Sequence, residues 1–235
     1  MNILSLFAGI GGMELGLERA GMTVVGQVEI DPFCRQVLAK HWPEVPRHDD
    51  VHTCIDWWRE QPRPPVHVVA GGFPCQPASQ AGPRLGESDP RWLWPPMAAV
   101  IDALRPEWVI AENVPGLRTR GLVTVLRDLR RLGYRARTGV VRACEMGAPH
   151  PRTRLFILAH PDGQGCRPRG GVGRRAGTPV VGGARWAAEP DVDRVAHGVP
   201  GGVDRRRTLG NAVVPAVAEH IGRLVLGARH ESWAA

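Results

Sequence analysis

The residues of this chain best suited to chemistry are a cysteine held between prolines, a downstream carboxylate and a glycine turn near the start. Cys75 stands in Gly71-Gly72-Phe73-Pro74-Cys75-Gln76-Pro77. Prolines on both sides of Cys75-Gln76 restrict the backbone and fix the direction of the thiol. Structural cysteines are usually found inside strands or helices, so a Gly/Pro-rich loop favours a functional role over simple packing. Glu112-Asn113-Val114 ends a later apolar run. Its carboxylate should therefore emerge on the same sheet edge as Cys75. A thiol and an acid facing one pocket suit attack at one atom of a ring with proton donation to another. The alternative for Glu112 is a buried, satisfied carboxylate.

The second constellation concerns a small ligand. Phe7-Ala8-Gly9-Ile10-Gly11-Gly12 lies between an apolar run and a helical pattern. Glycines there let a cofactor approach the backbone and leave helix N–H groups available to it. Glu29, at the end of the second apolar run, can accept both hydroxyls of a ribose. Asp50 can accept a hydrogen bond from an adenine amino group. Each has a plainer reading, a tight turn for the glycines and a helix-capping acid for Glu29. Together they describe an adenosyl-binding cleft. A GxxxxGK[ST] phosphate loop is missing from the sequence, which disfavours a nucleoside triphosphate.

These groups need a scaffold that brings loop ends together. Short apolar runs alternate with amphipathic stretches through the first 160 residues, the pattern of a parallel sheet with crossover helices. Strands are predicted at 3–7, 24–30, 66–70, 108–111 and 155–159. Helices are predicted over 13–19, from Pro32 toward His41, through Met97, Val100, Ile101 and Leu104, and through Leu122, Val125, Leu126 and Leu129. From Pro161 to about Gly202 the chain turns rich in Gly, Pro and Arg without periodicity. A last helix carries Val217, Ile221, Leu224 and Val225 on one predicted face.

Composition narrows the partners. Net charge is +7 and the pI about 10.1, with Lys40 the only lysine. A basic surplus favours a polyanion, because each neutralised phosphate releases counterions. Cys34, Cys54, Cys75, Cys144 and Cys166 form no CxxC pair, so neither a zinc site nor a disulfide framework is expected. The cysteines other than Cys75 are expected to be buried small hydrophobes. No run approaches the length of a membrane span, and the first residues lack a signal-peptide pattern, so a cytoplasmic protein without a membrane partner is expected.

Read in order, these segments resemble the motifs of the cytosine-C5 DNA methyltransferase family. Residues 7–12 resemble its cofactor loop, Pro74-Cys75-Gln76 its catalytic motif and Glu112-Asn113-Val114 its acid motif. Arg152-Thr153-Arg154 resembles its Arg-x-Arg motif, and Gly210-Asn211-Ala212-Val213 its C-terminal Gly-Asn motif. The resemblance implies an α/β fold with a doubly wound, mostly parallel, Rossmann-like sheet and a small irregular recognition subdomain. It divides the chain into a catalytic and cofactor-binding domain (1–160), a target-recognition region (161–203) and a segment returning to the first domain (204–235).

The same resemblance implies S-adenosylmethionine as methyl donor, S-adenosylhomocysteine as product and double-stranded DNA as substrate. Phe7 would stack near the adenine, with Ala8, Gly9 and Gly11 near the methionine part. Glu29 would hold the ribose, Asp50 and Val51 the adenine edge, and Leu93 would pack on the ring. Pro74 and Asn211 would complete the cofactor pocket. Cys75 would attack C6 of a cytosine flipped from the duplex. Glu112 would contact N3, and Arg152 and Arg154 would orient the base and support the acid. Ser79 and Arg91 in the loop after Cys75, and Arg174 and Arg175 in the recognition region, would contact phosphates. No metal is implied. A monomer is expected, with a cognate restriction endonuclease as a possible partner. His150 stands where the family usually has glutamine.

Competing readings include a transfer-RNA cytosine-C5 methyltransferase, whose characteristic Cys-Phe-Thr segment is absent. An amino-methylating DNA enzyme would need an Asp/Asn-Pro-Pro-Tyr loop where Phe73-Pro74-Cys75-Gln76 stands. A catalytically silent DNA-binding relative is disfavoured because nothing required for chemistry is missing. A dinucleotide oxidoreductase would leave Cys75 and Glu112 without a purpose.

Overall fold

The structure, a computed structural model, describes residues 1–74, 92–162 and 212–231. Cys75, Ser79, Arg91, Arg174, Arg175, Asn211 and nearly all of the expected recognition region lie outside the described residues.

Seven strands form one sheet in the order β3-β2-β1-β4-β5-β7-β6. They are β1 (Asn2–Leu6), β2 (Thr23–Val28), β3 (Arg47–His48), β4 (Val68–Gly71), β5 (Trp108–Asn113), β6 (Tyr134–Arg142) and β7 (Thr153–Pro161). The pairings from β3 through β5 are parallel, while β7 runs antiparallel to β5 and β6 antiparallel to β7. The fold is thus Rossmann-like and mostly parallel. Of its antiparallel end, β7 matches the strand expected at 155–159, while β6 appears in no sequence expectation because it is largely exposed and lacks apolar alternation. β6 exists through its pairing with β7.

The helices are α1 (Gly12–Arg19), α2 (Pro32–His41), α3 (Cys54–Arg59), α4 (Trp94–Leu104), α5 (Leu117–Arg120), α6 (Leu122–Arg131) and α7 (Pro215–Glu231). Asp31 caps α2, its carboxylate accepting from the backbone N–H of Phe33 at 2.9 Å and of Cys34 at 3.3 Å. One core layer packs Ile3, Ile110 and Phe156 of the sheet against Leu17 of α1 and Val217, Ile221 and Val225 of α7. The other packs Leu4, Leu6 and Val109 against Trp58, Met97, Ile101 and Leu129 of α3, α4 and α6. Two sequence expectations need correcting. Leu224 is 50% exposed and does not share the buried face of α7, since it lies about 100° from Val225 around the helix. Cys144 is exposed, on a short 3-10 turn, whereas Cys34 and Cys54 are buried as expected.

Strand order reverses at β1, with β2 on one side and β4 on the other. Leu6 of β1 lies opposite Gly71 of β4, so the loops that follow, from Phe7 and from Gly72, start side by side. A doubly wound sheet offers its ligand crevice at such a reversal.

Candidate functional site

The glycine turn with Glu29 and the β4 exit with Glu112 meet at this crevice, while Cys75 lies outside the described residues. On the β1 side the chain leaves the strand through Phe7 at φ 55°, Gly9 at φ 57° and Gly11 at φ 88°. A non-glycine residue in the left-handed region costs energy and persists only where the surroundings hold it. Ala8 N–H donates to Val28 O at 3.1 Å and Gly11 N–H to Ala8 O at 3.1 Å. Glu29 secures the loop. One carboxylate oxygen accepts from Gly9 N–H at 2.6 Å and the other from Asp31 N–H at 2.8 Å. That bracing role is invisible in the motif. Each oxygen keeps a second lone pair for a ligand hydroxyl.

An adenosyl group fits this cradle. A Cβ built on Gly9 would meet nothing within 4 Å, so the loop borders open space there. Ile30, beside Glu29, is 74% exposed and offers an apolar surface that sequence reasoning passed over. Its carbonyl and that of Glu29 both accept from Arg35, which holds the turn rigid. Asp50 follows β3, and its carboxylate accepts from His52 N–H at 2.9 Å. Val51 is a core residue, so only its backbone is placed to meet a ligand. Leu93 is partly buried at the start of α4.

The β4 side leads to Pro74, the last described residue before Cys75. Phe73 anchors this exit twice. Its ring packs against Trp92 and Trp94, with centroids 5.7 and 5.4 Å away. Its carbonyl accepts from Asn113 Nδ2 at 2.9 Å. Asn113 therefore fixes the backbone two residues before Cys75, a role with no signal beyond its place beside Glu112.

Glu112 sits at the end of β5, adjacent to β4. A Cβ on Gly72 would lie 2.6 Å from Glu112 Oε2, so only glycine lets the acid come this close to the β4 exit. Arg154 Nε lies 2.9 Å from Glu112 Oε1. Strand alternation explains the meeting: Glu112 and Arg154 stand two residues from Ile110 and Phe156, which face α1 and α7. Burial pushes the Glu112 carboxyl up to about 7, although Arg154 and then Arg152 pull it down. The acid therefore holds its proton far more readily than a free glutamate. Burial, together with the charge of Arg154, lowers the pKa of Arg152, against the pull of Glu112.

Sequence reasoning also missed Glu14. It is fully buried in the first turn of α1, and neither carboxyl oxygen has a well-formed hydrogen-bond partner. Burial raises it to about 7, against the smaller influence of Ser5. The available signal was an acid one helical turn before the buried Leu17.

Among the described residues no group of His, Cys, Asp or Glu is placed to hold a metal, and no helix is long and apolar enough to cross a membrane.

Comparison with known proteins agrees with this geometry. The family profile described as C-5 cytosine-specific DNA methylase matches residues 1–171. Type II methyltransferase M2.BsuMI of Bacillus subtilis is 38% identical over 168 residues, covering 68% of this chain and 42% of the relative. Type II methyltransferase M.Eco47II of Escherichia coli is 39% identical over 164 residues, covering 67% and 39%. The matched segment thus spans less than half the length of these curated relatives. The crystal structure of the S. pombe Dnmt2 methyltransferase superposes with a TM-score of 0.56 at 24% identity, covering 69% of this chain and 51% of that one, and shares the fold.

Proposed function

Because this chain belongs to the C-5 cytosine-specific DNA methylase family, we propose that it methylates C5 of cytosine in double-stranded DNA through a covalent Cys75 adduct. The observation that carries this reading is the contact of Glu112 with the β4 exit. The acid lies against Gly72, three residues before Cys75, and is buried enough to keep a proton near neutrality.

S-adenosylmethionine supplies an activated methyl group on a sulfonium. Phe7, Ala8, Gly9 and Gly11 receive it with Glu29, Asp50, the Val51 backbone, Leu93, Pro74 and Asn211. The Cys75 thiolate bonds to C6 of the flipped base while Glu112 shares its proton with N3, which makes C5 nucleophilic. Methyl transfer releases S-adenosylhomocysteine; water then takes the C5 proton, N3 returns its proton to Glu112 and Cys75 departs as a thiolate, restoring the ring. Arg154 holds Glu112 and faces the base. Residues 161–203 supply target recognition, with Arg174, Arg175, Ser79 and Arg91 on phosphates. The protein acts as a cytoplasmic monomer, and a restriction endonuclease cutting the same unmethylated site is its partner.

Duplex DNA containing 5-fluorocytosine tests the reading, because fluorine cannot leave C5 as a proton does. With S-adenosylmethionine the protein should form a denaturation-stable adduct on the peptide containing Cys75. An absent adduct, or one on another residue, overturns it.

A further inference from the structure

Arg152 was expected, with Arg154, to orient the base and support the acid. Instead its Nη2 donates to the carbonyl of Ala212, across sixty residues of sequence. Ala212 opens the short stretch leading into α7, and the other side of that stretch is pressed on the start of α1. A Cβ on Gly12 would stand 2.2 Å from Val213 O, and one on Gly16 would stand 2.3 Å from Pro215 O. Residues 212–215 thus lie between Arg152 and the helix that grows directly from the cofactor loop. Among the described residues the charged groups facing Glu112 are Arg154 and Arg152. Arg152 therefore touches the C-terminal stretch while its charge acts on the acid. Among the described residues its Nε is buried without a hydrogen-bond partner, and the bond to Ala212 recovers part of its desolvation.

We propose that Arg152 is a positioning residue that ties the acid pocket to the C-terminal stretch closing the cofactor loop, rather than a contact to the base. Its geometry stands independently; its consequence for the cofactor rests on the methyltransferase reading. The two ends of the reaction, the methyl donor and the proton on the ring, are then set by one side chain. Arg154 pairs with Glu112 and, among the described residues, carries no bond to 212–215.

Three measurements on the full chain test the link: the Glu112 carboxyl titration by 13C NMR, S-adenosylhomocysteine affinity by calorimetry, and backbone hydrogen exchange across 212–217. Arg152→Met should raise the Glu112 midpoint, weaken S-adenosylhomocysteine about tenfold, the loss expected for one charge-assisted hydrogen bond, and speed the exchange. Arg154→Met should raise the midpoint and leave the other two unchanged. Arg152→Lys keeps the charge without the guanidinium's reach, so the midpoint should stay while affinity falls and exchange quickens. It carries the test if Arg152→Met does not fold. In Arg152→Met, a midpoint that moves without faster exchange, or faster exchange without a moved midpoint, overturns the link. If the wild-type protein binds no S-adenosylhomocysteine, the methyltransferase reading fails, while midpoint and exchange still decide this proposal.

Discussion

Glu29 and Glu112 both stand at the carboxyl ends of parallel strands, and both are almost fully buried, at 8% and 7% exposure. Their surroundings differ in kind. Glu29 accepts from two backbone N–H groups, neutral donors fixed by the turn it braces. Glu112 meets a mobile-proton environment: apolar burial that raises its pKa to about 7, opposed by two arginines from the β7 side. Donors locked into backbone make a receptor for hydroxyl groups, while burial against cations makes a carboxyl poised to hold or release a proton. The difference teaches that one residue type serves recognition or chemistry according to whether backbone dipoles or side-chain charges satisfy it. Glu14 marks the limit, a fully buried carboxyl that, among the described residues, has no well-formed hydrogen bond and no ion pair.

The comparison breaks if chemistry and cofactor binding fail to separate by mutation. The largest effect should come from Cys75→Ser, which should abolish methyl transfer and leave S-adenosylhomocysteine affinity near wild type. A hydroxyl is a far weaker nucleophile than a thiolate near neutral pH. Near-normal turnover would remove the covalent mechanism. Next, Glu112→Gln should slow transfer by about 10²–10⁴-fold, the usual share of a positioned proton donor, again with cofactor affinity preserved. Single-turnover transfer of labelled methyl groups reads this, and a normal rate would take Glu112 out of the chemistry.

Glu29→Ala should do the reverse. Loss of charge-assisted hydrogen bonds should weaken cofactor binding about ten- to a hundredfold, with turnover at saturating cofactor much less affected. Equal loss in both would show that Glu29 shapes the acid pocket as well.

The smallest effect sharpens the role of burial itself. Glu14 titrates at about 7 in the fold against 4.5 for the free side chain, so the folded state binds its proton more tightly. That contribution is fully present below 4.5 and is lost as pH rises through about 7. Glu112 adds a slope of the same sign. Glu14→Gln should flatten the pH dependence of the urea midpoint across this window. Above it the variant should be more stable than wild type, by roughly the 1–3 kcal/mol that an unsatisfied buried group costs. An unchanged slope would show that water or a neighbour satisfies Glu14.

Much of this was legible in the residues. The strands that lead into Phe7, Glu29 and Gly72, and the one that carries Glu112 near its end, announce themselves as apolar runs followed by glycine, proline or acid, and the switch point follows from alternating strands and helices. Strand boundaries drifted by up to two residues because turn residues blur strand ends. β6 escaped altogether, since an edge strand exposed on most of its length carries no apolar signature. Arg152 was expected with Arg154 to orient the base and support the acid, and its bond to Ala212, sixty residues on, carries no signal in the Arg152-Thr153-Arg154 motif.

The sequence by itself determined the order of the motifs, the residue types able to attack a ring and share a proton, and the class of fold that gathers loop ends at one edge. These are local properties, encoded in spacings of a few residues and in the periodicity of strands and helices. Tertiary structure alone decided that Asn113 secures Phe73 across forty residues, that Arg152 reaches Ala212 across sixty, and that Glu14 is fully buried. Burial and pairing depend on what distant segments bring to the same face, and that is settled only when the sheet closes its core.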